Sequence, residues 1–156
     1  MKKTIITIFL SLVLSAVSPL RSQNAELFFK AAGSPSNPKL QTSWNKYFTY
    51  DGIVDFCKRL AKEYPDLVRM ETAGKSYQGR DIIALTISDK KSQNPDLKPG
   101  FYIDGNIHSN EIQGTEMALY TAWYLCEMFN SNTFISSFFA KNKIFDSIHV
   151  PLQNKI

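Results

Sequence analysis

The chain carries two histidines, and one of them, His108, stands three residues before a carboxylate, Glu111. A separation of three can turn an imidazole and a carboxylate toward one point. Nitrogen and oxygen donors so placed are what zinc requires. Taken alone, H-x-x-E is a weak signal, since a histidine and an acid at this spacing often arise by chance and usually mean a solvated or capping pair. The context is more informative. The run Tyr102-Ile103-Asp104-Gly105-Asn106-Ile107-His108-Ser109-Asn110-Glu111 reads as a strand that ends, a backbone relaxed by Gly105, and a helix that begins. Gly114 follows, a small residue that would permit close packing in the helix's first turn. The carboxyl end of a strand is also where ligands bind in open α/β sheets.

Several elements must position that turn. Ile53, Phe56, Leu60 and Tyr64 recur at helical spacing among charged residues, which predicts an amphipathic helix stopped at Pro65. Leu67 to Thr72 alternates apolar with polar and Ile82 to Ile87 is β-rich, so two strands are expected. The segment Lys75 to Arg80 between them, with Gln78-Gly79, suits an antiparallel hairpin. Asn94, Pro95, Pro99 and Gly100 mark a surface loop, and Phe101 to Asn106 a third strand. Ile112 to Phe129 has only Glu116 and Glu127 charged, which predicts a helix buried on much of its circumference, with Trp123, Tyr124 and Met128 in the core. A weaker helical piece runs through Phe138 and Phe139, and Ile144 to Val150 reads as a fourth strand. Gln23 to Tyr47 reads as an irregular lead. The order, αββ then βαβ, predicts an α/β fold: a three-layer αβα sandwich with a mixed β-sheet, incomplete at the C-terminus, whose last strand pair is joined by a helical crossover.

Composition narrows the function. Lys2 and Lys3 precede an uncharged, largely apolar run from Thr4 to Leu14, the pattern of an export signal. The run is broken at Pro19 and Arg21 and is short of the roughly 20 apolar residues that span a bilayer. Residues 1–22 are expected to be a signal peptide and residues 23–156 one secreted or periplasmic domain without a stable membrane anchor. The formal charge of +4 falls to +1 without Lys2, Lys3 and Arg21, so the basic balance implies no nucleic-acid partner. Cys57 and Cys126 fall in predicted helices and are expected to be buried small hydrophobes rather than a bridge.

At Asp104 to Glu111 the chain resembles the H-x-x-E segment of the zinc carboxypeptidase family related to carboxypeptidase A. The resemblance extends to the Tyr64-Pro65 helix end, the Gly79-Arg80 turn into Ile82 to Ile87, and the closing strand through Val150-Pro151, covering about residues 44–152. It implies Zn²⁺ as cofactor, His108 and Glu111 as two of three metal ligands, and a peptide with a free C-terminus as substrate. In that family a histidine well downstream supplies the third ligand. His149 does not match it, because it lies in the strand before an Asn-Pro-Asp-Gly turn that this chain does not reach. The general-base glutamate, the arginine that grips the terminal carboxylate and the tyrosine over the pocket are all expected beyond Ile156, so no catalytic residue is assigned within the chain.

Glu116, about 140° around a helix from Glu111, does not face the same metal and reads as an exposed helix charge. Where some digestive members carry an arginine just before the glutamate ligand, this chain has Asn110, so the resemblance does not extend to pancreatic-type specificity. The expectation is the N-terminal part of a zinc metallocarboxypeptidase. The alternatives are a truncated inactive product and a secreted non-catalytic binding domain reusing the fold.

Overall fold

The computed structural model describes residues 31, 33–108 and 110–148; the expected leader and His149 lie outside the described residues. Eight elements follow in order: α1 (Tyr50–Glu63), β1 (Val68–Lys75), β2 (Asp81–Ile87), a 3₁₀ turn (Pro95–Leu97), β3 (Gly100–Gly105), α2 (Gln113–Met128), α3 (Thr133–Lys141) and β4 (Lys143–Ile148). Thr49 caps α1 by accepting from Gly52 N at 3.2 Å, and Pro65, which cannot continue a helix, follows its end. Ile53, Phe56, Cys57 and Leu60 form the buried stripe of α1, which is the periodicity read from the sequence. The β1–β2 link is a tight antiparallel hairpin. Gly79 takes φ of 77° there, a left-handed value that glycine adopts without steric cost.

The sheet order is β1-β2-β4-β3. β2 pairs antiparallel with β1 and β4, while β3 and β4 run parallel. Parallel neighbours need a crossover, and α2 and α3 supply it. The sheet is therefore mixed, as expected for this α/β class.

Strand pairing sorts the side chains by face. Val68, Ile83, Leu85, Ile87 and Ile144 join one core with Ile53, Phe56 and Leu60 of α1, Leu119 and Trp123 of α2, and Ile135 and Phe139 of α3. All three described helices thus share one core on one side of the sheet. The other face carries the row Arg69, Thr86, Phe145 and Tyr102, which are consecutive cross-strand partners. Among the described residues no helix covers that second face.

The lead before α1 is irregular, but it is part of the core. Leu40 is buried, and Trp44 packs against Phe48, Phe56, Tyr120 and Trp123 with ring centroids 5.1 to 5.9 Å apart. The indole of Trp123 donates to Leu40 O at 2.8 Å. Cys57 and Cys126 are both buried and are not bridged to each other, and burial pushes the Cys126 thiol above its usual range.

Candidate metal centre

The candidate site is a turn between β3 and α2. β3 ends at Gly105 and Asn106 takes φ of 70°, a left-handed conformation that asparagine tolerates better than most side chains. The left-handed residue is thus Asn106 and not Gly105, where the sequence suggests the backbone relaxes. Gly105 is needed for a different reason. A Cβ on Gly105 would stand 2.6 Å from the carbonyl oxygen of Gly114, and one on Gly114 would stand 3.0 Å from Asn106 N. Strand end and helix start touch backbone to backbone, which is the close packing that Gly114 suggested.

Between those glycines the chain is turned by its own hydrogen bonds. Glu111 N donates to His108 O at 2.9 Å and Gly114 N donates to Glu111 O at 3.0 Å. His108 and Glu111 are both exposed, and the backbone bond between them places both on one turn just after the carboxyl end of β3. Among the described residues no three histidine, cysteine, aspartate or glutamate side chains gather where they could hold a metal. The pair offers one imidazole and one carboxylate, a donor chemistry that suits zinc in kind and leaves the set incomplete in number.

Glu116 differs from expectation. It is half-buried, and its Oε1 accepts the backbone N–H of Phe48 at 2.8 Å. Burial raises its carboxyl above the ordinary value of 4.5. Its charge is not free on the surface because the irregular lead folds back over α2, a contact that helical periodicity cannot report. A cavity of about 530 Å³ adjoins it, lined by Trp44, Asn45, Lys46, Tyr47, Gln113, Glu116 and Met117.

Fold and turn together define an α/β domain with a mixed sheet and a histidine–glutamate pair where a strand meets a helix. Residues 53–148 match the zinc carboxypeptidase family, and the chain belongs to it. Carboxypeptidase D of Mus musculus is 33% identical over 113 residues, covering 72% of this chain and 8% of that protein. Carboxypeptidase Z of Rattus norvegicus is 31% identical over 80 residues, 51% of this chain and 12% of that protein. Among solved structures, carboxypeptidase A from Helicoverpa armigera superposes with a TM-score of 0.58 at 23% identity, over 78% of this chain and 28% of its own. Thrombin activatable fibrinolysis inhibitor gives 0.59 at 19% identity, over 67% of this chain and 25% of its own. Both structural likenesses concern the fold alone, and the chain spans only a small part of the length of the relatives it matches.

Proposed function

We propose that this chain is the N-terminal part of a secreted zinc metallocarboxypeptidase, with His108 and Glu111 as two of its three metal ligands. One observation carries the reading: in a member of the zinc carboxypeptidase family, the exposed imidazole and carboxylate share a single hydrogen-bonded turn. When bound, zinc supplies a Lewis acid that polarises a carbonyl and acidifies a water.

The chain's own residues do the holding. His108 would offer a ring nitrogen and Glu111 a carboxylate oxygen, and the close backbone contact of Gly105 with Gly114 ties the strand before the turn to the helix after it. The substrate is a peptide with a free C-terminus, from which terminal amino acids are removed. By resemblance, the third histidine, the glutamate that takes a proton and the arginine that pairs bidentately with the terminal carboxylate come from sequence outside these 156 residues. Export through residues 1–22 places the protein outside the cytoplasm. No helix among the described residues is long and apolar enough to cross a membrane.

The test is a release assay with added zinc and peptides bearing different C-terminal residues. A longer polypeptide containing this segment is expected to release terminal amino acids and to lose at least about 10²-fold in kcat/KM on His108→Ala. Residues 1–156 alone are expected to release none. Chelator-sensitive release by the 156-residue chain, abolished by Glu111→Ala, would show that the site is complete within it and contradict this division.

A further inference from the structure

Two carboxylates of α2 reach across to the segment that precedes α1. Glu127 accepts the amides of Lys39 and Leu40 at 2.9 and 2.8 Å, and Glu116 accepts that of Phe48 at 2.8 Å. Residues 39–48 therefore run along α2 as a strap, from near its C-terminal end to its first turns. At the Glu127 end the strap is seated on packed groups: Leu40 is buried and its carbonyl takes the Trp123 indole N–H. Toward the Glu116 end Trp44 packs on Tyr120 and Trp123 of α2, and beyond it a cavity lies between Asn45, Lys46 and Tyr47 of the strap and Gln113, Glu116 and Met117 of the helix. The Phe48–Glu116 hydrogen bond bridges that gap, close in sequence to the turn that bears Glu111. A charge-assisted bond of this kind is stronger than a neutral one and fixes direction as well as distance.

We propose that Glu116 is a positioning residue for the metal turn: by tying the first turn of α2 to Phe48, it sets where Glu111 stands relative to His108. This rests on reading His108 and Glu111 as zinc ligands. Groups behind a metal's ligands commonly govern affinity by holding the ligands in place.

Three variants separate positioning from general stability. Glu116→Met keeps the bulk and loses the acceptor, Glu116→Gln keeps an acceptor, and Glu127→Met releases the far end of the strap. The first readout, taken without metal, is hydrogen exchange at the amides of Glu111 and Gly114, whose acceptors are the carbonyls of His108 and Glu111. Glu116→Met is expected to speed exchange there about tenfold and, in the second readout, to weaken zinc uptake about 10- to 100-fold. Glu116→Gln should stay near the wild type in both. Glu127→Met should lower the melting temperature while leaving both readouts unchanged.

Equal effects of the two Met substitutions on these amides, or none from Glu116→Met, would overturn the proposal. Should Glu116→Met fail to fold, the milder Glu116→Asp, too short to span the gap, must reproduce the faster exchange. Faster exchange in a protein that takes up no zinc at all would support the tether and overturn the reading of the pair as ligands.

Discussion

Lys98 is 3% exposed, and its ammonium lies 2.7 to 3.0 Å from Ser88 Oγ, Asp89 O, Ser92 Oγ and Phe139 O. A buried charge without a carboxylate partner is costly, and burial accordingly lowers its pKa from 10.5. The surrounding oxygens offset that cost and pin the β2–β3 loop to the end of α3. Lys98→Met removes the charge but leaves these acceptors unmet, so a loss of about 2–4 kcal/mol is expected in urea unfolding. The pH dependence has a definite sign. A lysine whose folded value is depressed binds fewer protons folded than unfolded, so its stability term rises as pH climbs through that value toward 10.5. The gap between wild type and Lys98→Met should therefore widen as pH is raised toward 10.5. A variant as stable as the wild type across this range would show that the ammonium holds nothing together. The sequence presents Lys98 as one more polar residue in a Pro- and Asn-marked loop. Its burial depends on Ser88 and Phe139, a distant contact that local pattern does not encode. His108 and Glu111 were legible for the opposite reason, since both lie on one short turn.

Among the elements, the contact between the end of β3 and the start of α2 governs the site. Gly105→Ala places a methyl 2.6 Å from a backbone oxygen, which side-chain rotation cannot relieve. The strand and helix must part, at an expected cost of about 2–4 kcal/mol. Gly114→Ala meets Asn106 N at 3.0 Å, but alanine favours a helix over glycine by about 1 kcal/mol, so its net effect should be smaller. Chemical denaturation of both variants checks the order, and Gly105→Ala matching the wild type would refute the close contact. Most elements were visible in the sequence. Ile53, Phe56 and Leu60 gave α1 by period, and the Gln78-Gly79 turn gave the hairpin. Two features were not visible, the left-handed residue being Asn106 rather than its glycine neighbour, and Glu116 being tethered rather than solvated. The strap that tethers it has no regular period, and only the folded chain brings Phe48 to α2.

For the molecule as a whole, the described residues give a four-stranded sheet with one helical side. β3 lies at the sheet's edge, with Phe101 56% and Tyr102 61% exposed, and the face bearing Tyr102 and Phe145 has no helix on it among the described residues. The relatives that the chain matches are several times longer. The α/β class was legible because αββ-β-αα-β order with a tight hairpin admits few topologies. The second helical layer was inferred from the class, beyond what the described elements contain. Calorimetric titration of zinc into the purified 156-residue chain tests the ligand assignment most directly. Weak, chelator-reversible uptake is expected, because two protein donors leave a three-ligand site short. His108→Ala and Glu111→Ala should each abolish it, and His149→Ala should leave it nearly unchanged. Uptake that survives His108→Ala, or that His149→Ala removes equally, would contradict His108 and Glu111 as the ligand pair.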